Sequence, residues 1–76
     1  MDLRRQLADA LRKMRQEAGL TQRDAARQLG ISQPALARME NRDLNTTIDT
    51  LATICRALRC DVGDLFAGKA RLRRGP

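Results

Sequence analysis

Apolar residues recur at helical spacing along the first part of the chain. The members of this series, which are four, four, three and four residues apart, are Leu3, Leu7, Leu11, Met14 and Ala18. Because an α-helix completes one turn about every 3.6 residues, these intervals place the series on one face of a helix. The sequence therefore predicts a first amphipathic helix, which ends before Gly19.

Four further helices are predicted from residues that suit helix ends. Thr21 suits the start of a helix over residues 22–29, and Gly30 suits its end. Ser32 suits the start of a third helix, which runs to about residue 41 with Pro34 in its first turn, where a missing backbone N–H costs little. Thr47 suits the start of a fourth helix, whose apolar residues are Ile48, Leu51, Ile54, Cys55 and Leu58. Asp61 suits the start of a fifth, whose apolar residues are Val62, Leu65 and Phe66. Since no stretch alternates apolar and polar residues as a strand does, the predicted fold class is all-α with five helices.

The chain length allows a single domain, and we predict that it covers residues 1–67. After Phe66 the apolar periodicity ends, and the remaining charges are all basic: Lys69, Arg71, Arg73 and Arg74. A basic segment without apolar periodicity gains little by packing. Residues 68–76 are therefore predicted to be a basic flexible tail. Two interpretations of it remain open: a segment without function, and a segment that adds affinity for a polyanion.

A domain of 76 residues buries only a modest core and is often stabilised by disulfides, metals or a partner chain. The chain has two cysteines and no histidine, so it offers no zinc-binding spacing. Cys55 and Cys60 are five positions apart across the end of a helix, which does not favour a local disulfide. A partner chain remains, and we expect a homodimer. No apolar run is long enough to span a membrane and no signal peptide is evident, so a cytoplasmic protein is expected.

The net charge of +6 is unevenly distributed. Residues 1–42 hold nine basic and five acidic side chains, residues 43–66 hold two and four, and residues 67–76 hold four and none. A basic first half beside a slightly acidic second half suits one surface for a polyanion and another for a different contact. A basic surface that binds nothing in particular would have the same composition.

The turn between the second and third helices is very short, as in a plain helical corner or in a DNA-reading helix-turn-helix. The spacing favours the second interpretation. Ala26 lies where the two helices would cross, and Gly30 provides the tight turn. The predicted inner face consists of Ala25, Leu29, Ile31, Leu36 and Met39, which leaves the polar residues Gln22, Arg23, Gln33 and Arg38 outside.

These residues resemble the Xre/Cro/CI-type helix-turn-helix of phage repressors and bacterial regulators. The similarity covers about residues 7–66, and its motifs are Arg15, GLTQ at 19–22, Ala26, GIS at 30–32, Glu40 and the distal apolar helix. The chain departs from the family pattern at Ala25, at Pro34 and in the loop after Glu40, which lacks the common glycine. The resemblance implies a five-helix lambda-repressor-like domain that binds double-stranded DNA.

The resemblance also implies a role for individual residues. The third helix would lie in the major groove, where Gln33 can pair with adenine and Arg38 with guanine or a phosphate, while Pro34 and Ala35 offer only apolar contact. The residues implied to contact phosphates are Gln22, Arg23, Ser32, Asn41, Arg42 and Asn45. Family members pair the residues at the positions of Arg15 and Glu40, so these two are expected to form a structural ion pair.

The apolar residues of the last two helices suggest a dimer interface. This set comprises Ile48, Leu58, Cys60, Val62, Leu65 and Phe66. The same residues would equally close the core of a monomer, so we expect at least part of the set to be exposed in one chain. In a DNA-bound dimer the two recognition helices would lie about 34 Å apart, one turn of DNA.

The leading hypothesis is a transcriptional regulator that binds an operator as a homodimer. Alternatives with the same domain are the antitoxin of a toxin–antitoxin pair, whose partner is a toxin protein, and a restriction-system controller. A protein-interaction module that does not bind DNA is a different class, favoured only by Pro34. An enzyme is not expected, since the chain has no histidine, tyrosine or phosphate-binding glycine loop. No cofactor, metal or small-molecule ligand is expected.

Overall fold

Five α-helices make up the regular structure of the residues that the computed structural model describes, which are 2–41 and 46–75. They are α1 (Leu3–Glu17), α2 (Gln22–Leu29), α3 (Gln33–Glu40), α4 (Ile48–Leu58) and α5 (Val62–Phe66). This arrangement confirms the predicted all-α class and its five helices. In these two stretches no helix combines the length and the apolar character that crossing a bilayer requires.

Each helix begins at a side chain that accepts a hydrogen bond from the backbone of its first turn. Thr21, Ser32, Thr47 and Asp61 do so for α2 to α5, as predicted, and Asp2 does so for α1. These side chains satisfy backbone N–H groups that have no partner within the helix. The helix boundaries are thus determined locally, by residues next to them in the sequence.

All five helices contribute to one core. Its largest fully buried side chains are Leu11, Met14, Leu29, Leu36, Ile54 and Leu65. The stripe predicted for α1 is buried from Leu7 onward, whereas Leu3, in the first turn of the helix, is 61% exposed. Burial of these aliphatic groups supplies most of the stabilisation of so small a domain.

The turn between α2 and α3 depends on Gly30. Its φ of 76° lies in the left-handed region, which glycine adopts without steric cost. A Cβ at this position would also lie 3.3 Å from Cγ2 of Thr53 on α4. Gly30 therefore permits both the abrupt change of direction and the close approach of α4 to the turn.

The segment after α5, residues 69–75, is packed along the domain, and we call it the C-terminal strap. Ala70 and Leu72 are each 8% exposed, whereas Arg71 between them and Arg73 after them are exposed to solvent. This arrangement corrects the prediction of a flexible tail. The segment alternates apolar and basic residues, so an extended backbone turns Ala70 and Leu72 towards the core, a pattern too short to stand out in the sequence.

Hydrogen bonds fix the strap to α2 and to the α1–α2 turn. The side-chain amide of Gln28 donates to the carbonyl oxygen of Arg73 (3.0 Å) and accepts from the backbone N–H of Arg73 (2.8 Å). The N–H of Gly75 donates to the carbonyl of Ala18 at 2.8 Å. A Cβ at residue 75 would lie 2.9 Å from Cδ2 of Leu20 and 3.1 Å from the carbonyl oxygen of Gly19, so a larger residue would require this turn to adjust.

The strap is expected to contribute to the stability of the domain. The substitution Leu72→Ala should lower the free energy of unfolding by about 2 kcal/mol, because it leaves a cavity beneath the strap. Arg74→Ala, at an exposed neighbouring position, should change it by less than about 0.5 kcal/mol. Urea denaturation followed by circular dichroism measures both values. Equal stabilities of the two variants would indicate that the strap is not packed in solution.

Candidate nucleic-acid interface

Helix α3 presents a polar outer face and is held by an apolar inner face. Gln33, Pro34 and Arg38 are exposed, whereas Leu36 and Met39 are almost completely buried. Ala35 is half-buried. The exposed residues are the positions at which a recognition helix meets base edges in a major groove. The only hydrogen-bonding side chains among these predicted base readers are those of Gln33 and Arg38.

A buried carboxylate lies at the end of α3. Glu40 is 2% exposed, and its side chain receives a bidentate contact from the guanidinium of Arg15 on α1. The Nε of Arg15 lies 2.8 Å from Oε2 of Glu40, and Nη2 lies 3.0 Å from Oε1. This is the ion pair that the family resemblance implies, and it joins the last turn of α1 to the last turn of α3.

Two more side chains complete the surroundings of Glu40. The Nε2 of Gln22 donates to Oε1 of Glu40 at 3.2 Å, and Nη2 of Arg12 donates to the main-chain carbonyl of Glu40. The remaining Nη1 of Arg15 donates to the carbonyl of Leu20 at 3.2 Å. A buried charge is tolerated only when its hydrogen-bonding capacity is used in this way. The four interactions bring α1, the α1–α2 turn and the start of α2 to the end of α3.

The electrostatics of the pair keep Arg15 charged. The hydrogen bond with Glu40 raises the pKa of Arg15 above its ordinary value, and the attraction of the carboxylate adds to this, while partial burial acts in the opposite direction. The guanidinium therefore stays protonated in the folded chain. The geometry is that of a permanent structural link and not of a proton-transfer site.

Arg12 is a functional residue that the sequence analysis missed. Its donation to the Glu40 carbonyl satisfies one of the carbonyls that the end of α3 leaves without a helical partner. Arg12 precedes Arg15 by three residues, and this spacing places both on one face of α1. The spacing was visible in the sequence, but nothing local showed which helix end that face would meet.

The predicted phosphate-contacting residues fall into three groups. Arg23, Ser32 and Asn41 are exposed, and the hydroxyl of Ser32 accepts from the N–H of Ala35 at 3.2 Å, which leaves its own hydrogen available to donate. Gln22 is half-buried, and its amide nitrogen is engaged by Glu40. Arg42 and Asn45 lie outside the described residues.

The six residues of the predicted dimer interface differ in their exposure to solvent. Ile48 and Val62 are 83% and 51% exposed, far more than large apolar side chains usually are. Leu58, Cys60 and Phe66 are partly buried and pack against the core. Leu65 is wholly buried in the monomer, so its assignment to the interface is wrong: α5 turns it inward, where it closes the core.

Comparisons with known proteins agree with this geometry. A protein-family model described as helix-turn-helix matches residues 11–65 of this chain. Antitoxin HipB of Escherichia coli strain K12 is 40% identical over 53 residues, which make up 70% of this chain and 60% of HipB. This chain thus spans about three fifths of the length of that curated relative.

Solved structures of two regulators have the same fold. The clp gene regulator ClgR from Corynebacterium glutamicum has a TM-score of 0.69 at 30% identity, over 91% of this chain and 88% of the ClgR chain. A point mutant of the restriction-modification controller protein C.Esp1396I has a TM-score of 0.65 at 26% identity, over 86% of this chain and 87% of its own.

The ion pair between Arg15 and Glu40 is expected to contribute strongly to the stability of the folded domain. Either Glu40→Gln or Arg15→Met should lower the free energy of unfolding by about 3 kcal/mol, because each leaves a charge that is largely removed from water without its partner. Thermal and urea denaturation measure the loss.

The pair of Arg5 and Asp9 provides a matched control for these two substitutions. Its side chains are 65% and 55% exposed, and the closest N–O distance is 3.9 Å. Asp9→Asn should change the free energy of unfolding by less than about 0.5 kcal/mol. If Glu40→Gln proved no more harmful than Asp9→Asn, the structural role of Glu40 would be refuted.

Proposed function

Because this chain belongs to the Xre-type helix-turn-helix family of DNA-binding regulators, we propose that it binds an operator in double-stranded DNA as a homodimer. The observation that carries the proposal is the exposed face of α3, with Gln33 and Arg38 on a helix whose end is fixed by the buried Glu40. A helix presented in this way can enter a major groove without rearrangement. The proposed role is one of binding and involves no catalysis.

Sequence recognition in this proposal depends on few side chains. Gln33 pairs with adenine through its amide, and Arg38 pairs with guanine through its guanidinium. Pro34 and Ala35 contribute apolar contact, best suited to a thymine methyl group. With only two hydrogen-bonding readers, much of the discrimination between sequences comes from DNA shape and from the spacing of the two half-sites.

The phosphate backbone is bound by the polar residues around the recognition helix. We assign this role to Gln22, Arg23, Ser32 and Asn41, and also to Arg42 and Asn45, which follow α3 in the sequence. The amide group of Gln22 joins the start of α2 to Glu40, so a phosphate at this helix end would be held in fixed register with α3. The charge of +6 adds attraction that does not depend on sequence.

The dimer that we propose forms through α4 and α5. Ile48 and Val62 supply its exposed apolar centre, and Leu58, Cys60 and Phe66 border it. The exposure of two large apolar side chains on consecutive helices supports this choice, because covering them removes apolar area from water. Association would place the two recognition helices about one DNA turn apart.

An antitoxin is the second candidate, and the 40% identity with antitoxin HipB favours it. In that case the chain would bind a toxin protein in addition to DNA. The likeness to ClgR and to C.Esp1396I favours instead a stand-alone regulator or a restriction-system controller. DNA binding is common to all these readings, and purification of the chain with the products of neighbouring genes would separate them.

The DNA-binding residues are tested with duplexes selected from a random pool. Gln33→Ala and Arg38→Ala should each weaken binding to the selected sequence about tenfold to a hundredfold and relax preference at one position. Arg23→Ala should weaken binding to all sequences alike and reduce the salt slope by about one. Fluorescence anisotropy at several salt concentrations measures both effects.

The control for the DNA experiment is Arg56→Ala, which removes an exposed arginine from the last turn of α4. It should leave the affinity for the selected duplex and the salt slope close to their original values. Absence of DNA binding by the unaltered chain even at low salt would favour a protein-interaction module instead.

The dimer is tested by Ile48→Asp. Because this side chain is exposed in one chain, the substitution should leave the fold intact while producing monomers in sedimentation at micromolar concentration. Ala57→Asp is the matched control, since it introduces the same charge at an exposed position on the opposite side of α4. An unaltered chain that sediments only as a monomer would contradict the proposed interface.

A further inference from the structure

The end of α4 reverses the chain so that Cys60 returns to Cys55. Arg59 adopts the left-handed conformation, with φ of 53° and ψ of 46°. The N–H of Arg59 then donates to the carbonyl of Arg56 at 3.3 Å, and the N–H of Cys60 donates to the carbonyl of Cys55 at 3.1 Å. This pair of bonds defines a Schellman motif, in which the chain reversal brings the residue at the position of Cys60 back towards the residue at the position of Cys55.

The left-handed residue shows that the reversal is imposed by its surroundings. Among the described residues, Arg59 is the only one other than glycine with a positive φ. Such a conformation carries a steric cost for a residue with a Cβ. The two hydrogen bonds of the motif and the packing of Cys55, Leu58 and Cys60 against the core offset that cost. The two cysteines are thus held together by the fold.

The thiols are free, and both residues are partly exposed. Burial raises the pKa of the Cys60 thiol above its ordinary value, and the neighbouring Cys55, Asp64 and Asp61 raise it further. Both cysteines also pack against the core, beside the chain reversal at Arg59.

We propose that Cys55 and Cys60 are a modification site, at which the folded chain forms an intramolecular disulfide with a low-molecular-weight disulfide as oxidant. A spacing of five residues across the end of a helix does not by itself favour a local disulfide. The reversal at Arg59 removes that objection. The bond would close a loop of six residues around the end of α4.

The chemistry is a pair of thiol–disulfide exchanges. One cysteine thiolate attacks a sulfur of glutathione disulfide, forms a mixed disulfide and releases one glutathione thiolate, which takes up the proton that the cysteine lost. The second cysteine thiolate then attacks the protein sulfur of the mixed disulfide and releases the second glutathione. The protein dithiol is oxidised by two electrons and glutathione disulfide is reduced to two thiols.

The disulfide would cross-link the joint between α4 and α5. Asp61, which caps α5, follows Cys60 directly, so the bond would fix the last turn of α4 relative to the first turn of α5. These helices also carry Ile48 and Val62. Formation of this disulfide within one chain requires neither DNA binding nor dimerisation.

The test compares the folded and the unfolded chain in glutathione redox buffers. The equilibrium constant for forming the protein disulfide should be at least about tenfold larger in native buffer than in concentrated guanidinium chloride, because the fold holds the thiols in contact. The raised pKa of Cys60 slows exchange at neutral pH, so samples are brought to equilibrium before quenching. Mass spectrometry identifies the product by the loss of two hydrogen atoms.

A thermodynamic cycle supplies a second readout. If the disulfide is favoured by folding, the oxidised chain must have a folding equilibrium constant larger by the same factor than the reduced chain. Urea denaturation measures it. Cys55→Ser and Cys60→Ser serve as controls, since each retains one thiol and can form only a mixed or an intermolecular disulfide.

Substitutions at Arg59 test the geometric basis. Arg59→Gly keeps the left-handed turn at no steric cost and should preserve or raise the equilibrium constant. Arg59→Val disfavours the turn because a β-branched residue rarely adopts a positive φ, and should lower the constant severalfold. Equal constants in folded and unfolded chains, or mixed and intermolecular disulfides as the main products, would overturn the proposal.

Discussion

A carboxylate buried at the end of the recognition helix constrains how the first three helices pack. Glu40 is almost inaccessible to water, and an ion in such a place is stable only with a charged partner and enough hydrogen-bond donors. Arg15 supplies the charge, and Gln22 and Arg12 supply further donors to the same residue. Any shift of α3 relative to α1 or α2 would break these bonds, so the orientation of the recognition helix follows from them.

This arrangement separates the residues that position α3 from those that we propose as DNA contacts. Leu36, Met39 and Glu40 face inward and are buried, while Gln33 and Arg38 face outward. A substitution at Glu40 therefore acts on stability and orientation, even though the residue lies within the DNA-binding motif. Gln22 belongs to both groups, because one amide connects the buried carboxylate with the helix end at which a phosphate would bind.

Two left-handed residues and the C-terminal strap explain how so short a chain closes its core. Gly30 reverses the chain between α2 and α3, and Arg59 does so between α4 and α5. The strap then buries Leu72 in the core, donates a hydrogen bond from Gly75 to Ala18 and is bound by the side chain of Gln28. Small domains bury a low fraction of their surface, so the area that a packed terminal segment covers is a substantial contribution.

The five helices were predictable from the sequence, because each begins at a capping side chain beside it and shows its own apolar periodicity. The helix-turn-helix motif was predictable as well, since Arg15, Gly30 and Glu40 occur together at the spacing typical of one family. The exposed face of α3 followed from the same periodicity. The helices and the exposed face of α3 depend on residues within one or two helical turns, and the motif depends on residue types at fixed spacing, so a sequence displays both directly.

Tertiary structure alone decided which surfaces meet. The strap packs because Ala70 and Leu72, two apolar residues in a basic segment, are buried against the core. The return of Cys60 towards Cys55 follows from a left-handed conformation at Arg59, which no local pattern predicts. Likewise, Arg12 reaches Glu40 across 28 positions of sequence. Such contacts join residues whose proximity depends on how the helices pack, and periodicity along one helix carries no information about its neighbour.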